Sequence, residues 1–449
     1  MQQAGSGESD GGEWHNLIEP PSLVKHFLRY PPHGFSTAGF STVEIASAIP
    51  AFITDFDLTT TVAQDSHHGW VASILKRLAS RLLRFKTCFV GTTVSEYVLL
   101  PQQLSPADFV TQLLRQANDI NLLIIKDIPC DPALLGEAAM QYSRELADAC
   151  QKAGFIMVEG QALAYVPLDF TSTETFLARM TRARRKDIKR KLRSASQLEI
   201  QTIPTGAEPF ADEALLSELY ALYRNVFDQS AVHFDLLSAE FFRAVLRDAD
   251  SGGVVFTYRV AGKLIGYNLC FVQGGMLLDK YVGFAYPQAR DYNLYCVSWF
   301  HNLAYALQRG LKYYVAGWTD PEIKRHLGAS FTFTRHAVYV RNVWLRRLLS
   351  HFRHHFEADS QWQNNGSRTR ADFCCKALHP SVFSALLIPR QATPSTMHRP
   401  PRICANVSRS SKTKTEIIST GTISRCDAAK AGPIGACLSS VIHVTNVPR

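Results

Sequence analysis

Three short stretches hold residue types whose spacing could do chemistry. In "LLDKYVG", Asp279 and Tyr281 are alternate residues, which in a strand share one face. A carboxylate there can orient or deprotonate an amine, and a phenol can return a proton. The plainer alternatives are an edge-exposed carboxylate and a core aromatic. In "DPEIKRHLGA", Lys324 offers an ammonium, against the alternative of a solvated lysine beside Glu322. "MTRARRKDIKRKLRSA" (180–195) sets eight basic residues around one acid, Asp187. Alone it reads as a handle for nucleic acid. Helical projection, however, aligns Leu177, Met180, Arg184, Ile188, Leu192 and Ala195 in a narrow, mostly apolar stripe, which a free signal does not need. A helix docked on the fold is expected, with Arg185 first and then Arg182 offered to an anionic substrate if that side faces a cleft.

The elements around these stretches are mixed. "NLLIIKDIP" (121–129) reads as a strand, 132–155 as a helix ending at Gly154, and 155–168 as one or two strands. A helix capped by Ser172 or Thr173 leads into the basic run. Then follow a strand (198–204), two helices (212–230 and 238–250), and three strands over 252–286 with hairpin turns at 261–263 and 273–275. A helix over 294–310 and strands at 312–317 and 331–342 complete the order. Two basic amphipathic segments, 70–86 and 343–356, could lie on a membrane, but packing an apolar stripe on a core is the commoner role. His351 and His355, four apart in the second, lack the acidic or thiol partners of a metal site.

Composition narrows the class. The chain has 449 residues, 46% hydrophobic and 19% charged, with a formal charge of +9. That length suggests two or three domains. The charge is local: the basic run and the tail over 390–449, with nine basic residues and two acids, leave a mildly acidic body. A protein that coats nucleic acid spreads its basic surface over the fold. The ten cysteines form no CxxC pair, so free thiols in a reducing compartment are expected. No apolar run reaches the roughly 20 residues of a membrane span, and the opening lacks the layout of a signal peptide. Cytoplasmic localisation and no stable membrane insertion follow as expectations.

The element order resembles the GNAT acyltransferase superfamily, in which a strand meander leads through a turn into the helix that holds acyl-CoA. More narrowly it is similar to the FemAB-like branch, two GNAT-like halves in tandem. The narrower match rests on the basic helix 182–193, on "VGFAYPQARDYNLYCVSW" (282–299) and on "YYVAGWTDPEIKRHLGASFTFTRH" (313–336), with "AFITDFDL" (51–58) and "FVGTTVSEY" (89–97) fitting the first half. The resemblance covers roughly 45–345. It implies an α/β (α+β) fold in which each half is a mixed, mostly antiparallel sheet flanked by helices. The expected division is a disordered or extended segment over 1–44, halves over 45–178 and 179–345, a helical extension over 346–388 and a disordered basic tail over 389–449.

The resemblance also implies roles. The strand of Asp279 would line the cleft, making Asp279 a general base or amine-orienting group and Tyr281 or Tyr295 a proton donor. Lys324 falls where the branch carries a charge-neutralising lysine. Arg290, Asn293 and Tyr295 fall in the cofactor region. One departure stands out: "ARDYNLY" (289–295) lacks the glycines that let backbone N–H groups approach a pyrophosphate. The expected activity is N-acyl transfer, of the GNAT N-acetyl type first, to an amine of a small molecule or cell-envelope precursor. Acyl-CoA is the expected donor, with no tightly bound cofactor and no metal; tRNA is a possible donor and DNA is not expected. The alternatives are a nucleic-acid-binding protein using 180–195, or an inactive GNAT-fold binding module.

Overall fold

The computed structural model describes residues 14–42, 44, 48–57, 84–230 and 234–351. The tail over 389–449, most of the extension over 346–388, His355 and the body of the helix expected over 70–86 lie outside the described residues. The end of that expected helix is corrected: Arg84–Val90 is strand β3. Its Phe, Thr, Cys and Val residues suit a pleated surface, and it pairs with neighbours on both edges. Residues 14–42, expected to be disordered or extended, carry a helix, α1 (Pro21–Arg29), because Leu23, Val24 and Phe27 fall on one face and are buried.

The other strands are β1 (Ser36–Phe40), β2 (Ile49–Asp57), β4 (Leu122–Pro129), β5 (Ile156–Pro167) and β6 (Glu199–Pro204). The meander β7 (Gly253–Val260), β8 (Lys263–Gln273) and β9 (Met276–Phe284) precedes β10 (Tyr313–Gly317) and β11 (Ser330–Val340). The described strands form one 11-stranded sheet in the order β1-β2-β3-β4-β11-β5-β10-β9-β8-β7-β6. Two similar halves can be read in this order. Each is an antiparallel run ending in one parallel pair, β3 with β4 and β9 with β10. Each is then closed by the last strand of the other: β11 beside β4, and β5 beside β10. The exchange makes the sheet continuous through the β11–β5 pair.

The helices after α1 are α2 (Pro106–Gln116), α3 (Glu137–Lys152), α4 (Thr173–Ala178), α5 (Arg182–Leu192), α6 (Glu213–Gln229) and α7 (Ala239–Leu246). They are followed by α8 (Gln288–Asp291), α9 (Leu294–Gln308), α10 (Pro321–Leu327) and α11 (Val343–His351). One face of the sheet packs a core common to both halves, from Phe52 and Phe89 to Leu269 and Leu278, under α1, α6 and α7. The opposite face carries separate cores, one for the first half under α2 and α3 and one for the second under α4, α5 and α9. No described helix is long and apolar enough to cross a membrane.

The basic run docks as its stripe predicts. Ser172 caps α4 in a reciprocal capping box with Thr175. Leu177, Met180 and Ile188 are buried in the second-half core, Ile188 completely. Arg184, in the middle of the stripe, sends its guanidinium to the carbonyls of Arg325 (2.5 Å) and His326 at the C-terminal end of α10. Cations are favoured there by the unsatisfied carbonyls and the helix dipole.

Candidate functional site

β9 and β10 run in register for only three residues, Met276–Leu278 against Tyr313–Val315. Beyond Val315, β10 shifts its register against β5, and beyond Asp279, β9 bulges against β8. With the neighbouring strand gone, residues 279–282 of β9 and 317–318 at the end of β10 become partly exposed. A wedge therefore opens at the carboxyl ends of two parallel strands, where α/β sheets commonly bind ligands.

Lys324 reaches into this wedge. Asp320, in the left-handed region, and Pro321 start α10, and Gly328, at φ 103°, closes it with N–H bonds to the carbonyls of Lys324 and Arg325. A side chain on Gly328 would meet Phe176 at 2.4 Å, so the turn packs directly on the core. Lys324 is 3% exposed. A Cβ added to Gly317 would lie 3.8 Å from its Nζ and 3.9 Å from the Asp279 carbonyl oxygen, so the glycine leaves the space beside the amine open. Nζ makes no hydrogen bond or ion pair among the described residues. Burial lowers its pKa to about 8, against the opposing pull of Asp279, Asp320 and Glu96. A buried ammonium without a partner is costly, and such groups cluster at functional sites.

Asp279 is held differently. Its carboxylate accepts from Asn268 Nδ2 (3.0 and 3.1 Å), Asn302 Nδ2 (3.0 Å), Tyr314 Oη (2.8 Å) and the Cys270 thiol (3.5 Å). Burial raises its pKa, and Asn268, Tyr314 and Lys324 oppose that. With both oxygens engaged, it acts on Lys324 as a fixed negative charge. The expectation that Asp279 and Tyr281 share a face is corrected. Lys280 is an extra residue in the β9 bulge, so the alternation slips by one. Asp279 faces the second-half core beside Tyr314 and Cys270. Tyr281 turns to the common core, with its ring 5.4 Å from Phe242 and 6.0 Å from Phe241.

Of the other candidates, Tyr295 packs its ring 6.5 Å from Phe284 in the second-half core, and burial raises its pKa. Arg290 is exposed; it donates to Gln229 Oε1 (2.7 Å) and lies over the Tyr286 ring. Asn293 takes the left-handed conformation before α9 and donates to Ser194 Oγ at 3.3 Å. Arg185 turns back to the carbonyls of Ala178 and Met180 at 3.4 Å, and Arg182 is exposed. These four are not drawn into the Lys324–Asp279 cluster.

A second cluster was invisible in the sequence. Lys280 Nζ lies 2.5 Å from Glu96 Oε1 and 3.4 Å from Glu19 Oε1, and the Glu96 N–H donates to Glu19 Oε1 at 2.6 Å. Burial raises the Glu19 pKa to about 7, with Lys280 the largest opposing influence. The folded state therefore binds a proton that the unfolded chain, at 4.5, releases. Stability from this group is complete below pH 4.5 and is lost as pH rises through 7. Glu19→Gln should flatten that part of the stability profile, which denaturant midpoints at pH 4.5, 6 and 8 would check. A groove of about 440 Å³ between α2 and α3, lined by Ser105, Thr111, Glu145 and Asp148 among others, includes none of these residues.

The class this fold defines is a mixed α/β protein with one large sheet flanked by helices, built from two halves that exchange their last strands. A family model described as peptidoglycan biosynthesis/recognition, FemAB-like, matches residues 129–375, and the chain belongs to that family. Among solved structures it is similar to the C-terminal domain of a putative lysylphosphatidylglycerol synthetase from Agrobacterium fabrum, at 12% identity and TM-score 0.43 over 73% of this chain and 94% of that one. It is also similar to L-PGS from Bacillus licheniformis (10%, TM-score 0.43, 75% and 97%). FemX gives comparable figures (10%, TM-score 0.42, 73% and 98%). No curated protein matches the chain.

Proposed function

We propose that this protein transfers an acyl or aminoacyl group to a primary amine of a cell-envelope precursor. The observation that carries the reading is Lys324, a buried ammonium with no hydrogen-bond or ion-pair partner among the described residues, at the mouth of a strand wedge. In the proposed step the acceptor nitrogen attacks the donor carbonyl carbon, and the carbonyl oxygen takes up negative charge that Lys324 stabilises. Collapse breaks the C–O bond of an ester or the C–S bond of a thioester; an acceptor that arrives as an ammonium loses one proton to water before it attacks and a second on collapse, and the leaving oxygen or sulfur gains one. In this reading Asp279 favours the charged form of Lys324, and Tyr295 protonates the leaving group. Arg182, Lys186, Lys189, Arg190 and Arg193 are exposed on α5, which is tied to α10 through Arg184. With the glycine-free 289–295 stretch, this favours aminoacyl-tRNA as donor; acyl-CoA is the second reading.

The test supplies radiolabelled aminoacyl-tRNA or acetyl-CoA in single turnover, with a saturating lysine-bearing peptide precursor. Transfer from either donor supports the reading, and transfer from neither overturns it. The pH profile checks the state of Lys324. Deprotonation of the acceptor amine raises the rate of wild type and Lys324→Met alike, so the ratio of the two rates is the readout. As the ammonium, Lys324 should make that ratio fall above about pH 8, where it deprotonates; a ratio that rises through pH 8 would instead assign it the role of a neutral base.

A further inference from the structure

The bulge that turns Tyr281 away from Asp279 also aims Lys280 at two acids from outside the second half. Glu96 comes from the loop after β3, at the end of the first half's own parallel pair, and Glu19 from the segment before α1. Glu19 is 1% and Glu96 2% exposed. Two enclosed carboxylates thus share one ammonium. Glu96 Oε1 takes the contact with Lys280, while its Oε2 is enclosed and accepts no hydrogen bond among the described residues. The Tyr281 hydroxyl, on the same side of β9, is equally enclosed and makes no hydrogen bond among the described residues. Tyr281 lies within electrostatic reach of Asp235, Glu96 and Glu19, and Lys324 within reach of Glu96. Asp235 forms no ion pair among the described residues, and its backbone carbonyl accepts from Tyr223 Oη at 3.4 Å. This side of β9 therefore gathers Glu19, Glu96 and Asp235 around Lys280, an excess of negative charge next to a lone pair that lacks a donor.

We propose that Glu96 Oε2 binds the ammonium of the acceptor, an aliphatic primary amine, so that the first half of the sheet holds the acceptor and Lys324 of the second half faces the donor. The proposal rests on the transferase reading above and names the residue that selects its acceptor. A primary ammonium brings one positive charge and three N–H donors, which suits an enclosed carboxylate oxygen that accepts no hydrogen bond among the described residues. A neutral alcohol of the same length supplies no charge, and an anion is repelled. Residues 279–282 of β9, the partly exposed stretch of that strand beside the wedge, include both Lys280 and Tyr281. Lys280 and Glu19 hold Glu96 in place, which makes them positioning residues.

The experiment uses the full chain without any donor and titrates pentylammonium chloride at pH 7 by calorimetry, with 1-pentanol as the uncharged control. Wild type should bind the ammonium and not the alcohol. Glu96→Gln should weaken binding at least tenfold. Tyr281→Phe removes only an unpartnered hydroxyl; it should keep the fold and weaken binding severalfold, so the proposal stays testable if Glu96→Gln unfolds. Lys324→Met should bind as well as wild type or better, since a repelling cation is gone, while losing transfer. Equal affinity in wild type, Glu96→Gln and Tyr281→Phe, or equal binding of pentanol, overturns the assignment. Transfer that persists in that case leaves the transferase reading standing. Amine binding that depends on Glu96 in a protein without transfer keeps this site and removes that reading.

Discussion

Lys324→Met should lower the transfer rate by about 10²–10³-fold, the usual cost of removing one preorganised group that stabilises an oxyanion, without lowering the melting temperature. The two expectations have one cause. Lys324 is buried and has no hydrogen bond or ion pair among the described residues to repay its desolvation, so the folded state carries a cost for that charge. Methionine fills a similar volume without the charge and is flexible enough to adapt. A structural lysine would behave in the opposite way, leaving a cavity or a broken ion pair behind it. Single-turnover rates with either donor, together with thermal unfolding followed by circular dichroism, separate these cases. A melting temperature several degrees lower with transfer retained would show that Lys324 supports the fold and not the chemistry.

The second large effect belongs to Lys280→Met, which should destabilise the fold by about 3–5 kcal/mol near pH 8, the typical cost of stranding a buried ionised partner. Here two partners are stranded, since Glu19 and Glu96 both depend on Lys280. The loss should shrink as pH falls. Glu19 in the folded state already takes a proton at about 7 in the presence of Lys280, and without that cation its protonation moves to still higher pH. A protonated carboxyl is neutral, so the penalty is relieved on the acid side. Urea unfolding of wild type and variant at pH 5.5 and 8 gives the comparison. A deficit equal at the two pH values would mean that loss of packing, not of charge, is responsible.

Much of the second half is legible in local pattern. The stripe from Leu177 to Ile188 identifies a docked helix before any coordinates are known, because helical periodicity repeats within a few residues. The order of strands and helices from β6 to β11 is readable for the same reason. Lys324 stands out by the family resemblance that its neighbours in "DPEIKRHLGA" carry, and Asp279 by its place in an apolar strand. The pairing of Asp279 with Tyr281 fails because one inserted residue, Lys280, reverses the alternation. Nothing in "LLDKYVG" marks a bulge, since its cause lies in how β9 pairs with β8 and parts from β10. Arg290 and Arg185 looked available from their positions, yet each finds a closer partner once the chain is folded.

By itself the sequence determined most elements of the second half and the docked basic helix, while Lys324 was singled out only through the family resemblance. The elements and the helix depend on periodicity, capping or turn chemistry within some ten residues. Tertiary structure alone decided which charges meet. Glu19 and Lys280 are 261 positions apart, and Glu96 and Lys280 are 184 apart. The contact of Arg184 with α10 likewise spans more than 140 positions. The exchange of β5 and β11 between halves also belongs to the fold, since strand pairing is set by which apolar faces close one core. Desolvation completes the division: a lysine or glutamate looks the same in any stretch of sequence, and only the packing around it decides whether its charge is solvated, paired, or left open for a ligand.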